Sequence, residues 1–319
     1  MNVPASFTHG FSLAPMAGYT DSPFRRVCRG MGASGLVTEM ITAAGVSRRS
    51  LKSIRFLRYH PDERPLGVQL FGAKPVDFAR SAELVSGLGF AFIDINAGCP
   101  VKKVLKSGSG SALLRDLPRL FEIVRVTRAV TELPVTVKIR LGFTPLEPLP
   151  ENICELLAGA GASAVTIHGR YRSDMFSGEV DLRGIHRLSR RSPIPVVANG
   201  DVRIPGDGLK LLSMDGVTGV MVGRGALGNP WLFRALRGGP PCPLPGEFHS
   251  VIMDQLDMMI AAGGEHGVYQ AMRGHLLHYL KGFPGAACLR NRGVQVENRN
   301  DVQELALEAE ERRWSSCEG

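Results

Sequence analysis

A cysteine stands in the segment Asn96-Ala97-Gly98-Cys99-Pro100, directly after the apolar run Phe90–Asn96. Gly98 and Pro100 favour a loop over burial in a core, and a thiol with a pKa near about 8.5 keeps its proton at pH 7. Cys99 is therefore placed to act as an acid. The remaining cysteines, Cys28, Cys154, Cys242, Cys288 and Cys317, are scattered, with no CxxC pair and no Cys/His cluster at ligand spacing. No metal site is expected, and free thiols suit a reducing compartment. Beside the thiol, Met16, Glu39, Gln69, Asn96, Lys138, Arg140, His168, Asn199 and Arg224 each fall at or near the end of a short β-branched run. An acid, a lysine, amides and an imidazole form a set suited to proton transfer on a bound organic group.

Something must bring these residues together, and the runs themselves say what. Phe11–Met16, Leu36–Glu39, Pro65–Phe71, Phe90–Asn96, Pro134–Arg140, Ala162–His168, Ile194–Asn199 and Val217–Gly223 read as strands. Helical spacing of apolar residues follows most of them, as in Val76–Ser86, Leu117–Thr131, Glu151–Ala158 and Ile204–Leu212. Eight strand–loop–helix units predict an α/β fold, a parallel (β/α)8 TIM barrel, whose active site is built where strands end. Polar residues end strands for ordinary reasons too, but a convergent set on nearly every strand favours the functional reading.

The barrel is expected over residues 1–235. A Gly/Pro-rich linker over 236–247 follows, and then a small helical domain over 248–319, with helices at Phe248–Gly263, Val268–Leu280 and Val302–Arg313. The end, RRWSSCEG, reads as a frayed tail. The 319 residues are 44% hydrophobic and 21% charged, enough for a full core. The start lacks a signal pattern and no apolar stretch is long enough for a membrane helix, so no membrane association and a cytoplasmic location are expected. The net charge of +8 is concentrated in residues 1–246, which favours a polyanionic partner.

Six segments now carry a specific resemblance: LAPMAGYTDSPFRR (13–26), DINAGCPVKKVLKSGSGSALL (94–114), VKIRLGF (137–143), TIHGRYR (166–172), ANGDV (198–202) and GVMVGRGALGNPWLF (219–233). In this order along the barrel they resemble the tRNA-dihydrouridine synthases. The later HYLKGFPGAACLRN (278–291) resembles the helical RNA-binding domain of that family. Tyr171 departs from it, the family more often having Thr there.

The resemblance implies FMN as cofactor, NADPH (or NADH) as reductant, tRNA as partner, and reduction of the 5,6 double bond of specific uridines to dihydrouridine. Hydride would come from reduced FMN and the proton from Cys99. On these positions Asn199, Gly200 and Asp201, with Gly223 and Arg224, would take the flavin phosphate, the usual role of barrel loops seven and eight. Lys138 would face the N1–C2=O edge, Gln69 would bond the ring, Pro15, Met16 and Ala17 would line it, and His168 would stand beside it. Asn96 would hold the uracil edge, an amide offering both donor and acceptor, and Arg170 would contact substrate or phosphate.

Stacked uracil has to be drawn out of folded RNA to react. Three basic rows are expected at the mouth: Arg25, Arg26 and Arg29; Lys102, Lys103 and Lys106; and Arg48, Lys52 and Arg55 on one helical face. A basic centre in the helical domain, Arg273, Lys281, Arg290, Arg292 and Arg299 with His275 and Tyr279, would clamp RNA from the other side. A monomer is expected. The rival readings are a flavin-barrel reductase of free pyrimidines or another small unsaturated substrate, of the dihydroorotate dehydrogenase type, and a barrel kept as an RNA-binding module without turnover.

Overall fold

The structure, a computed structural model, describes residues 2–315. All eight predicted strands form, each somewhat shorter than its apolar run: β1 Phe11–Leu13, β2 Leu36–Val37, β3 Leu66–Phe71, β4 Phe92–Asn96, β5 Val135–Arg140, β6 Ala164–His168, β7 Val196–Asn199 and β8 Gly219–Val222. All of the pairings along this path are parallel, in the order β1-β8-β7-β6-β5-β4-β3-β2. Across the remaining seam, Ser34 N–H donates to the Phe11 carbonyl at 2.8 Å and Leu13 N–H to that of Gly35 at 2.9 Å, which closes the ring. A short strand, Ile41–Thr42, extends beside β3, and residues 142–148 form a small antiparallel hairpin. This is the (β/α)8 TIM barrel.

The barrel is filled rather than hollow. Phe7, from a helical turn ahead of β1, lies against Phe92 with ring centroids 4.5 Å apart. Ala14, Val37, Val197 and Met221 complete this cluster, so the barrel beneath the mouth is plugged by apolar side chains. Burying a ring of this size is worth roughly 2–3 kcal/mol. The mouth, where strands finish, is open and carries the polar residues.

Helices flank the strands: α1 Ser22–Gly30, α2 Pro75–Ser86, α3 Leu117–Ala129, α4 Ile153–Gly159, α5 Leu182–Ser189 and α6 Pro205–Leu212. Several begin at a side-chain cap, as where Asp116 accepts from Arg119 N–H at 3.2 Å to start α3. Residues 237–246 run without helix or strand, held by Arg234, which bonds the carbonyl of Cys242 at 2.7 Å and pairs with Glu247 at 2.7 Å. Beyond lie α7 Glu247–Gly263, α8 Val268–Tyr279, α9 Ala286–Gly293 and α10 Arg299–Ser315. Helix α9 was not expected. The frayed tail is corrected in part: α10 continues through Arg312 and Arg313, while 316–319, including Cys317, lie outside the described residues.

The four C-terminal helices share a core that includes Trp231, from the loop after β8, and Val27 of α1. Trp231 stacks on Phe248 at 5.7 Å and meets Tyr279 edge-on at 6.3 Å. Gly228 has φ +68° and a Cβ there would stand 2.1 Å from the His278 carbonyl oxygen, so only glycine lets this loop reach α8. The end of α8 is thereby held against the barrel mouth. No helix among the described residues is long and apolar enough to cross a membrane.

Candidate active site

Register on the barrel wall assembles the site. Gln69 pairs with Asp94, Asp94 with Thr136, Asn96 with Lys138, and Asn199 with His168. Side chains alternate along a strand, so Asp94 and Asn96 of β4 share the interior face, as do Thr136, Lys138 and Arg140 of β5. Above them lies a cavity of about 840 Å³, within the usual range for a small-molecule site. Every residue that the resemblance assigns to the site lines it: Pro15, Met16 and Ala17; Gln69; Asn96 and Cys99; Lys138; His168 and Arg170; Asn199, Gly200 and Asp201; Gly223 and Arg224. Of the strand-end set, Glu39 does not, its carboxylate accepting from Gly18 N–H at 2.5 Å.

Lys138 donates to Asn199 Oδ1 at 2.7 Å, and Asn199 Nδ2 donates to the Met221 carbonyl at 2.8 Å. Burial pulls the lysine pKa down to about 7, against the attraction of Asp94 and with help from Arg140. Its charge therefore depends on what sits beside it, and an anionic group in the cavity would hold it protonated. His168 is held well below its ordinary value by burial and then by Lys138, Arg140, Arg170 and Arg224, which makes it a neutral imidazole at pH 7. Cys99 has its pKa raised, first by burial, against the Val101 N–H and Arg140. The thiol keeps its proton, as an acid must.

Asn96 differs from its expected use. Its Oδ1 already accepts from Cys99 N–H at 3.0 Å and Gly98 N–H at 3.3 Å, and its Nδ2 donates to Gln69 Oε1 at 2.8 Å. Only the second N–H remains, 3.9 Å from the Met40 sulfur, a weak acceptor. The amide offers a ligand a donor and no free acceptor.

Arg170 and Asp201 are tied to each other. The arginine, 1% exposed, donates to Asp201 at 2.5 and 3.1 Å, to the Ser177 carbonyl at 2.9 Å and to the Gly178 carbonyl at 2.6 Å. Asp201 also holds Arg224 at 3.4 Å and Arg203 at 3.8 Å. Arg170 is thus a strut, and the two outer arginines are the cations free to turn toward a ligand.

Arg140, one of the residues read at strand ends, ends β5 and lines the cavity, and Phe176 and His278 line it as well without having been read as site residues. Arg140 donates to the carbonyls of Gly98 and Tyr171, both at 2.8 Å, and so braces the Cys99 turn. Phe176 stands near both Arg140 and Arg224, with 5.5 and 6.0 Å from guanidinium carbon to ring centre. His278 and Lys281 reach the same cavity from the end of α8.

The basic rows need correction. Arg25 is buried on Glu63 at 2.5 Å, and Arg29 donates to four backbone carbonyls, so neither is free for phosphate. Arg48, Lys52 and Arg55 do not share one helical face, because the chain breaks at Arg49, φ +54°, between helices Ala43–Ser47 and Leu51–Phe56. His275 and Tyr279 are core residues, 4% and 1% exposed, His275 against Tyr19 and Phe24, and Tyr279 donating to Gln255. Arg273 and Arg290 hold the carbonyls of Val296 and Leu280, and Arg299 pairs with Asp257. Lys102, Lys103 and Lys106 are exposed on and beside a short helix directly after the Cys99 turn.

Comparison with known proteins follows the same lines. The model of a family described as dihydrouridine synthase (Dus) matches residues 12–313. The tRNA-dihydrouridine synthase B of Pseudomonas aeruginosa is 38% identical over 291 residues, covering 89% of this chain and 87% of the relative. That of Proteus vulgaris is 36% identical, covering 93% of each. Among solved structures, a histamine dehydrogenase from Rhizobium sp. 4-9 aligns with TM-score 0.56 at 12% identity over 78% of this chain and 48% of its own. A 2-naphthoyl-CoA reductase aligns with TM-score 0.58 at 9% identity, over 73% of this chain and 50% of its own. This likeness is one of fold, the barrel being a part of those larger chains. No group of three or more His, Cys, Asp or Glu side chains among the described residues is arranged to hold a metal ion.

Proposed function

Since the chain belongs to the dihydrouridine synthase family, whose members reduce uridine in tRNA to dihydrouridine with a flavin, we propose that its barrel mouth holds FMN and that Cys99 protonates the uracil ring. The observation that carries the reading is the single cavity on which a protonated thiol, a lysine of adjustable charge and two outer arginines converge. The residues present fit the cofactor. An apolar strip, Ala14 to Ala17, suits a flat ring, with Gln69 and Lys138 at its polar edge. Arg224 and Arg203 with the side-chain-free backbone of Gly200 and Gly223 suit a phosphate; beside Gly223 the nearest atom to a would-be Cβ is 3.9 Å away.

Bound flavin, reduced by NADPH, supplies the reducing pair for the 5,6 double bond of uracil. The chain's own residues do the rest. Lys138 holds a positive charge against the edge where the reduced ring is electron-rich. Cys99 gives its proton to C5, held over the mouth by Asn96 and Arg140. Asn96 donates its remaining N–H to a carbonyl of the base. Lys102, Lys103 and Lys106 beside the thiol, with Lys281 from the helical part, meet RNA phosphates. The division into a barrel over 1–235, a linker over 236–247 and an RNA-binding helical unit beyond is part of this proposal, as is a monomeric state.

The purified protein, incubated with FMN, NADPH and unmodified tRNA, is expected to yield dihydrouridine in the nuclease digest by mass spectrometry and to leave free uridine unreduced. Lys138→Met and Arg224→Ala should each weaken FMN retention. A protein that takes up no FMN, or that reduces free uridine as well as tRNA, overturns the reading.

A further inference from the structure

Beneath the cavity lies a carboxylate that the chemistry above does not use. Asp94, in the middle of β4, is 1% exposed. A carboxylate inside a barrel is costly unless its oxygens are occupied. Here both are: Oδ1 accepts from Thr136 Oγ1 at 2.6 Å and Oδ2 from Gln69 Nε2 at 2.6 Å. Strand register places these partners on either side of it.

The bonds continue outward in one direction. Gln69 Oε1 accepts from Asn96 Nδ2, and Asn96 Oδ1 accepts from the backbone N–H groups of Gly98 and Cys99. Burial raises the Asp94 pKa, while the hydrogen bonds from Gln69 and Thr136 and the charge of Lys138 favour the ionised form. Ionised, the carboxylate only accepts, as a backbone N–H only donates, so each end of this chain has a fixed polarity. Two amides between such ends have one arrangement that satisfies every bond, and reversing either sets two donors or two acceptors face to face. The buried cost of that mismatch falls on the turn that carries the thiol.

We propose that Asp94 is a positioning residue: as the acceptor terminus of an Asp94–Gln69–Asn96 chain it fixes both amides, holds the Cys99 turn, and leaves Asn96 only an N–H for the base. The chain explains why a base carbonyl, and not a base N–H, is the group that Asn96 can meet. It acts through Gln69 and Asn96 without touching substrate. It deepens the reading of Cys99 as the acid and rests on it for its catalytic consequence, though not for the geometry.

Two variants separate acceptor from bystander. Asp94→Asn retains an oxygen for Gln69 and can turn its own N–H toward the Thr136 hydroxyl, so the polarity survives. Asp94→Leu has no acceptor. The first readout is Cys99 alkylation by iodoacetamide in flavin-free protein, followed by peptide mass spectrometry; it needs neither cofactor nor activity. The loosened turn of Asp94→Leu should be alkylated at least about fivefold faster, while Asp94→Asn stays within about twofold of the parent. The second is flavin reoxidation by tRNA, expected to be at least about tenfold slower in Asp94→Leu than in Asp94→Asn, whereas any change in reduction by NADPH from the charge lost beside Lys138 should be the same in both. If Asp94→Leu fails to fold, Gln69→Met breaks the chain one link later and must speed alkylation likewise. Parental alkylation in the broken variant, or an Asp94→Asn as impaired as Asp94→Leu, overturns the proposal. Altered alkylation with unaltered reoxidation leaves the positioning standing and instead refutes Cys99 as the acid.

Discussion

Replacing Asp201 tests whether the arginine side of the mouth is held from within. Arg170 is 1% exposed, and two of its five hydrogen-bond partners are the oxygens of Asp201, whose own side chain is 25% exposed. Removing one partner of a fully buried pair costs about 3–5 kcal/mol. Water reaching the vacated side of Asp201 reduces that to about 2–3 kcal/mol. Asp201 also sits at φ +41°, a conformation that Asp and Asn tolerate better than Ala, worth roughly 1 kcal/mol more. Asp201→Ala should therefore lose about 3–4 kcal/mol, and Asp201→Asn, which keeps an acceptor and the backbone preference, about 1–2 kcal/mol. The assay is urea unfolding of flavin-free protein at pH 7, followed by tryptophan fluorescence and circular dichroism. With an m-value of about 3 kcal/mol per molar, the alanine midpoint should fall by roughly 1 M. Burial would raise the Asp201 pKa, but the Arg170 hydrogen bonds and the charges of Arg170, Arg203 and Arg224 outweigh it and hold it below 3.8. The pair's contribution is therefore complete above that unfolded value and lost only as pH falls through the lower folded one. The gap between parent and Asp201→Asn should stay level from pH 8 to pH 5. An alanine loss under about 1 kcal/mol, or a gap that closes between pH 8 and pH 5, refutes the strut.

Two further outcomes can be checked on the same protein. Gly110 has φ +61°, and a Cβ there would lie 2.7 Å from the Cys99 carbonyl oxygen and 3.1 Å from its Cβ, so Gly110→Ala should displace the thiol, costing about 2–3 kcal/mol and slowing RNA reduction more than flavin reduction; parental rates in stopped-flow would refute it. Lys102 and Lys103 have no ion-pair partner among the described residues, so tRNA affinity should fall steeply with salt, and Lys102→Ala with Lys103→Ala should flatten that slope by about two units on a log–log plot; an unchanged slope from filter binding removes them from the phosphate path.

How far the site was legible depended on whether a residue's environment is local. Strand ends announce themselves, because a β-branched run stops at a polar residue and the barrel puts every such stop on one rim; Gln69, Lys138, His168 and Asn199 were readable for that reason. Asp94 was not, although an acid inside the run Phe-Ile-Asp-Ile-Asn is itself unusual in a buried strand. Its partners, Gln69 and Thr136, come from neighbouring strands and appear only with the register. Two of the three basic rows failed by the same logic. Arg25 looks like its neighbour Arg26 in the sequence, but Glu63, 38 residues on, buries one and not the other. His275 and His278 lie a single helical turn apart, one in the core and one on the cavity, a difference set by how α8 meets the barrel. The break at Arg49, which separates the third row, is a backbone event at a residue type that rarely makes one.

Delivery of the proton to uracil by Cys99 is tested by separating the two halves of the reaction in Cys99→Ala. Reduction of the bound flavin by NADPH requires no acid from this residue, whereas reduction of uridine does. Stopped-flow flavin absorbance, first on mixing with NADPH and then on adding tRNA to the reduced protein, reads both. The first phase should be parental and the second slowed by about 10²–10⁴. An alanine variant that reoxidises with tRNA as fast as the parent would contradict Cys99 as the donor.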